Sequence, residues 1–149
     1  MKIEVKYGLL ITIGVIVWTV TAHLLVPNPC SAVHMFGPIV FFNLLEISGI
    51  YLGSSARKRA NSGQLQFKAG LKTGVRIAVV YGLSSCLFFL LMVAVLGSGI
   101  MCAEPGAETL PVWKVAVFAF VGQFGGALIL GLIYSTIVAF ILADKRRAL

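Results

Sequence analysis

The sequence has few charged residues. Aspartate, glutamate, lysine and arginine make up 11% of it, whereas soluble domains carry roughly 25%. Apolar residues make up 59%, and the mean hydropathy is +1.00. A soluble protein of this composition would lack the polar residues that cover a core. The composition therefore excludes a soluble globular protein and indicates an integral membrane protein.

Residues that build catalytic or metal centres are also scarce. The sequence has two histidines and three cysteines, with no CxxC or Cys/His metal spacing. It also has no nucleophile–base–acid set and no phosphate-binding loop. His23 and His34 flank a short external segment, where they are either solvated side chains or ligands of a metal or a pigment magnesium. The sequence predicts no enzymatic activity, no resident metal and no cofactor.

Four apolar segments are long enough to cross a bilayer, which takes about 20 helical residues. We place the spans at 7–26, 36–53, 75–96 and 113–142. Segments 27–35 and 97–112 then connect spans on the external side, and the basic connector 54–74 lies on the other side. We therefore predict an all-α fold: residues 1–149 form one transmembrane domain, a bundle of four helices.

Basic residues lie on one side of this path. Eleven of the twelve fall near the two termini or between residues 57 and 76, and only Lys114 falls on the other side. Because cytoplasmic segments carry the excess of lysine and arginine, we expect both termini in the cytoplasm. We assign the net charge of +7 to topology and to contacts with anionic lipid headgroups, and not to nucleic-acid binding. The four tyrosines are expected in the inner half, where phenols reach headgroups or water.

The connector 54–74 and the fourth apolar segment leave local alternatives open. Residues 64–71 form either a short interfacial helix, with Leu65, Phe67 and Leu71 toward the lipid, or a solvated loop. The fourth segment is longer than one crossing requires, so it is either tilted or begins with a turn at the outer interface.

Polar side chains gather near the bilayer midplane. A rise of ~1.5 Å per residue places Asn43, Glu46, Ser84, Ser85 and Gln123 at about the same depth. Only Glu46 is ionisable, and a charged, unpaired acid there costs about 2.5 to 3.5 kcal/mol. We therefore expect Glu46 to face inward, neutral and hydrogen-bonded to Asn43, Gln123 or a serine. It is either a proton- or cation-coupling carboxyl or an acid that fixes helix packing.

Two pairs of glycines have the GxxxG spacing that lets helices approach closely. Gly49 and Gly53 share a helix face with Asn43 and Glu46. Gly122 and Gly126 form the second pair, on span four. The neighbouring stripe on that span consists of Gln123, Ala127, Gly131 and Tyr134. We expect the span-two face to pack against one of these two span-four faces.

The cysteines permit one disulfide. Cys30 and Cys102 fall in the two external segments and so share a compartment, which is oxidising in hosts that export disulfide catalysts. A bridge between them is one reading, and two unpaired thiols are the alternative. Cys86 lies within span three.

Several short motifs carry a resemblance to a known family. They are Lys6-Tyr7-Gly8 at the start of span one, Gly49-Ile50-Tyr51-Leu52-Gly53 at the end of span two, and Ser62-Gly63 with Phe67-Lys68-Ala69-Gly70-Leu71-Lys72-Thr73-Gly74 before span three. The chain resembles, over nearly its whole length, the bacterial four-helix membrane family catalogued as domain of unknown function 4199. Phe67, Leu71, Lys72 and Gly74 match the family's pattern, while Gly70 stands where alanine is common. The resemblance implies a bacterial inner-membrane location but brings no activity and no catalytic residues.

Two hypotheses of function follow. The first is a non-enzymatic accessory or assembly subunit that packs within or beside a larger membrane complex. The competing one is a small homo-oligomeric transporter or channel in which Glu46 couples to a proton or cation. The expected partners are the lipid bilayer and, within it, either another membrane protein or a second copy of the chain.

Overall fold

The computed structural model of the chain describes residues 2–26, 28, 30–96 and 111–143. Every regular element within these residues is a helix, as predicted. The elements are α1 (Ile3–Leu25), α2 (Ala32–Ala60), α3 (Phe67–Leu96), α4 (Val112–Ala119), a π-helical segment (Phe120–Gly125) and α5 (Gly126–Leu142). Since the last three follow one another directly, they form the fourth rod of the bundle.

Each of the four rods is long and apolar enough to cross a membrane. Large apolar side chains such as Leu10, Ile13 and Val17 of α1 point away from the bundle, as a lipid-facing surface requires. The prediction of a polytopic bundle of four transmembrane helices is therefore confirmed. The external segment predicted at 97–112 lies, up to residue 110, outside the described residues, as does the basic group at 145–147.

The basic connector is mostly helical. α2 continues to Ala60, and its last turn carries Arg57, Lys58 and Arg59, which complement the negative end of the helix dipole. α3 begins at Phe67, so only 61–66 lie outside a helix. Neither alternative for 64–71 describes this segment, because its second half is the first turn of α3. Leu65, expected toward the lipid, is instead buried at 2% exposure.

Contacts at the termini of the rods bring the basic residues to one end of the bundle. The Glu4 carboxylate lies 3.7 Å from the Arg76 guanidinium, which joins the beginnings of α1 and α3. The Lys58 ammonium donates a hydrogen bond of 2.9 Å to the Leu142 carbonyl, which joins the ends of α2 and α5. We call this the basic end. Lys114, at the start of the fourth rod, lies toward the opposite end.

The core lies around α3, which packs against the other three rods. The core contains the buried side chains of Ile11 and Val15 from α1, Ile50 from α2, and Ile77 and Tyr81 from α3. Ala127 and Val138 complete the core from α5. The fourth rod joins the bundle mainly through α3 and α2.

The span-two face divides between its neighbours. Its Asn43 and Glu46 lie against Tyr134 and Gly131 of the span-four stripe, as one of the two predicted packings has it, whereas its two glycines do not face the fourth rod. Gly49 faces Ile11 of α1, and Gly53 faces Ile77 of α3 and Tyr7 of α1. The span-two glycines therefore set the distance to α1 and α3, and not to the fourth rod. A methyl group added to Gly122 or Gly126 would meet no other described atom within 4 Å, so this pair faces outward. The neighbouring stripe on the fourth rod turns inward instead.

Candidate functional site

Glu46 lies inside the bundle, where α2 meets α3 and α5. Its side chain is 2% exposed. A methyl group added to Gly131 of α5 would come 2.8 Å from Glu46 Oε1 and against Ala78 of α3. Gly131 thus leaves room for the carboxyl beside the α5 backbone. Oε1 has no hydrogen-bond partner among the described residues, so the expected bond to Asn43, Gln123 or a serine is absent at this atom.

Asn43 is engaged with α5. Its Oδ1 accepts a hydrogen bond of 2.6 Å from the Tyr134 hydroxyl, and its amide donates to the Ile39 carbonyl. Asn43 lies one helical turn from Glu46 on the same face of α2. The Asn43–Tyr134 hydrogen bond therefore joins α2 to α5 next to Glu46, and Asn43 lies farther from the basic end than Glu46 does.

Tyr81 of α3 connects Glu46 with two other predicted residues. The Tyr81 side chain, 2% exposed, lies within electrostatic range of Glu46 and within reach of the Gln123 and Ser85 side chains. Ser85 Oγ still makes no hydrogen bond of standard geometry. The expectation that the Tyr81 phenol reaches headgroups or water is wrong, since its ring is part of the buried core. The spacing of Tyr81 and Ser85, four residues apart on one helix face, was the available signal.

Ser84 belongs to a different contact. Its hydroxyl lies 2.6 Å from the Thr12 hydroxyl of α1, and it also donates to the Val80 carbonyl at 2.7 Å. The predicted cluster of five residues is therefore divided between two interfaces. Ser84 joins α1 to α3, whereas Ser85 faces the side where α5 packs.

Two further serines continue this site toward the basic end. Ser135 of α5 packs directly against Gly74 of α3, beside Ile50. Ser54 of α2 lies one turn beyond Ile50, and both serines are 1% exposed. Sequence reasoning missed them because it searched the midplane only. We define the polar seam as the buried polar residues between α2, α3 and α5. They are Glu46, Tyr81, Ser85 and Ser135, together with Ser54, which is assigned to the seam because it follows Glu46 and Ile50 on α2 at spacings of four residues.

The two histidines and Cys30 lie at the end of the bundle opposite the basic end, where α1 ends and α2 begins. The rings of His23 and His34 are 5.1 Å apart, and His34 Nε2 lies 2.8 Å from the Val26 carbonyl oxygen. Among the described residues, no three His, Cys, Asp or Glu side chains are arranged to hold a metal ion. Cys86 is a free, buried thiol, and Cys30 is disulfide-bonded. Cys102 lies outside the described residues, so the Cys30–Cys102 pairing stays a prediction.

Comparison with known proteins identifies the family. The chain matches no curated protein and no solved structure. A family model described as "Protein of unknown function (DUF4199)" matches residues 6–102, which include most of α1 and all of α2 and α3 and end before the fourth rod. The match is shorter than the resemblance predicted over nearly the whole chain, but it contains every motif that carried that resemblance. Because the match covers more than half of its residues, the chain belongs to the DUF4199 family of proteins of unknown function.

Proposed function

We propose that the protein is a non-enzymatic accessory or assembly subunit that packs beside a partner in a bacterial inner membrane. The observation that carries this proposal is the outward glycine face of the fourth rod, formed by Gly122, Gly125 and Gly126. No other described atom lies within 4 Å of a methyl group placed on any of the three. Small residues gain nothing from lipid contact, but they let a second helix approach closely.

The surface around these glycines suits a helix partner. Phe118, Val121 and Ile129 are 63% to 65% exposed. Toward the start of α4, Trp113 and Lys114 line an open cavity of about 400 Å³ together with Val117 and Phe118. Aromatic side chains beside small residues give a docking helix both a ridge and a groove. The proposed partner is therefore a membrane protein with an apolar helix.

We propose the cytoplasm for both termini. The support is the basic end, where Lys2, Lys6 and the basic residues of α2 and α3 come together. Positive residues are retained on the cytoplasmic side during insertion and contact anionic headgroups there. A reporter that is active only in the cytoplasm should be active when it is fused to either terminus. A reporter that is active only outside the cytoplasm should be inactive at both.

Purification in a mild detergent followed by mass spectrometry tests the accessory role. A partner should co-purify in stoichiometric amount with the wild-type chain. Gly122→Leu combined with Gly126→Leu should remove the partner by filling the close contact. Thr136→Leu is the matched control, because Thr136 is exposed on the same rod away from these glycines. The proposal is contradicted if the partner still co-purifies with the double variant, or if no stoichiometric partner co-purifies with the wild-type chain.

The second candidate function is a small homo-oligomeric transporter or channel that uses Glu46. The observation in its favour is that Oε1 is buried and lacks a hydrogen-bond partner among the described residues. Acids within transmembrane segments commonly mark ion pathways and proton relays. In liposomes, Glu46→Gln should abolish proton-driven flux while the protein stays folded. Flux that is unaltered by this substitution excludes the transporter.

A further inference from the structure

The buried serines of the polar seam depart from the behaviour of the other helical hydroxyls. Thr19 and Thr136 donate to the carbonyl four residues earlier, at 2.8 Å in both cases. This local bond is the ordinary solution for a hydroxyl in an apolar helix. Ser54 Oγ and Ser135 Oγ, by contrast, have no hydrogen-bond partner among the described residues. A buried polar atom without a partner is destabilising, so two such serines beside Glu46 call for an explanation.

The unpaired atoms follow one another along the seam. On α2, Glu46 and Ser54 share a face with Ile50 between them, at spacings of four residues. On α5, Gly131 faces Glu46, and Ser135 lies one turn nearer the basic end. The order from the basic end is therefore Ser54, Ser135 and Glu46. Beyond Glu46, the seam continues on α3.

The α3 portion extends the row toward the opposite end. Gly74 lies at the level of Ser135, Ala78 at the level of Glu46, and Tyr81 and Ser85 follow. Residues 74 and 85 are separated by about 16 Å along a helix of ~1.5 Å rise per residue. The row thus covers about half of a hydrocarbon core ~30 Å thick.

We propose that the polar seam is a proton path, in which Ser54 and Ser135, with water molecules that they bind, connect Glu46 to the basic end. This inference rests on the second candidate function, because it specifies the proton as the transported ion and the polar seam as its route. A hydroxyl can accept a proton on one lone pair while it donates its own, so each serine is unchanged after a transfer. The carboxyl of Glu46 takes up one proton and releases one, and no oxidant or reductant is needed.

Ile50 closes the path in this structure. Its side chain is fully buried at 0% exposure and separates Glu46 from Ser54 on α2. A methyl group on Gly74 would lie 3.1 Å from Ile50 Cγ2, so the isoleucine fills the seam at the level of Ser135. Of the other titratable side chains, Tyr81 of α3 and Tyr134 of α5 interact electrostatically with Glu46. Rotation of Ile50 is therefore the step that would open the route.

Proton entry into liposomes measures the path directly. Purified wild-type protein is reconstituted with a pH-sensitive dye inside, and a potassium diffusion potential drives protons inward. We expect Ser54→Ala and Ser135→Ala each to lower the flux about tenfold or more, because each interrupts a hydrogen-bonded chain. Ile50→Ala should raise it by removing the side chain that closes the seam. Thr136→Ala, next to Ser135 but exposed, should leave it unchanged.

The outcomes separate this path from the function on which it depends. If Glu46→Gln abolishes the flux while both serine variants keep wild-type flux, the transporter stands and the serine path is wrong. If wild-type liposomes conduct no more protons than protein-free ones, the path and the transporter both fail. Each variant is first compared with wild type by heating it with a thiol-reactive dye and recording the temperature at which the buried Cys86 thiol begins to react. A variant with lost flux and native Cys86 protection supports the path, because misfolding would expose the thiol.

Discussion

The α1–α3 interface and the polar seam contain similar polar side chains, but these side chains differ in whether they have hydrogen-bond partners. At the α1–α3 interface, the Thr12 and Ser84 hydroxyls lie 2.6 Å apart, so one donates to the other, and the second donates to a carbonyl of its own helix. In the polar seam, Ser135 and Glu46 are at least as buried as Thr12, yet Ser135 Oγ and Glu46 Oε1 have no hydrogen-bond partner among the described residues. Burial alone therefore does not determine whether a polar group in this bundle is paired.

Glycine explains the difference. Thr12 is opposed by a serine, which offers a hydroxyl across the interface. Ser135 is opposed by Gly74, and Glu46 by Gly131, so the facing helix offers no side chain. Glycine lets the polar group fit, but its backbone amide and carbonyl are already used within the helix. The seam thus accommodates polar atoms without satisfying them, which is the property expected of a site that binds a small mobile species.

Gly131→Leu should have the largest effect on folding. The added side chain would overlap Ala78 and approach Glu46 Oε1, and overpacking of this kind costs about 3 kcal/mol or more. Thermal unfolding in detergent, followed by the reaction of the Cys86 thiol with a fluorogenic dye, measures the change. Gly126→Leu is the control, because its added side chain meets open space and should leave the midpoint almost unchanged. Equal losses in both variants would show that α5 does not pack as described.

Gly74→Ala should destabilise the seam less, and a second substitution should repair it. The new methyl group would meet the Ser135 side chain, at a cost of about 1 to 3 kcal/mol. Ser135→Gly removes the obstructing atoms, so the double variant should regain most of the lost thermal stability. Gly8→Ala, which would instead meet Val80, should gain nothing from Ser135→Gly. Rescue of both glycine variants would indicate a general effect of Ser135 and not the contact between α3 and α5.

The sequence was sufficient to predict the four membrane spans, and it was less informative about their ends. Apolar length determines a crossing, so the number and order of the spans could be derived. The ends could not, because charged residues such as Arg57 and Lys68 are good helix formers and extend α2 and α3 beyond the apolar segments. Hydropathy marks the part of a helix inside the lipid, whereas hydrogen bonding determines where the helix stops.

The candidate site shows what depth alone leaves undetermined. The rise per residue placed Ser84 and Ser85 at one level, but neighbouring residues point about 100° apart around a helix. They therefore face different partners, Thr12 for one and the polar seam for the other. The same reasoning overlooked Ser54 and Ser135, which lie nearer the basic end. A search along helix faces from Glu46 and Gly131, at spacings of four residues, would have found both.

The Thr12–Ser84 pair should show a measurable coupling that the seam serines lack. Hydrogen bonds between transmembrane helices contribute about 0.6 kcal/mol on average and up to about 1.7 kcal/mol. A double-mutant cycle of Thr12→Val and Ser84→Ala should give a coupling in this range. The cycle of Ser54→Ala and Ser135→Ala should be close to additive, because the two hydroxyls share no hydrogen bond while Ile50 fills the seam. Coupling of similar size in both cycles would remove the distinction between the two interfaces.

The Glu4–Arg76 ion pair should have the smallest effect. Its atoms are 3.7 Å apart and the Arg76 side chain is 57% exposed, so water and salt screen the attraction. Arg76→Ala should cost less than about 1 kcal/mol at low salt, and the loss should vanish at about 1 M salt, where the screening length is ~3 Å. The Thr12–Ser84 hydrogen bond joins two uncharged groups, so its coupling should be insensitive to the same salt. A loss at Arg76 that persists in high salt would place the pair inside the bundle and make it part of the interface that joins α1 to α3.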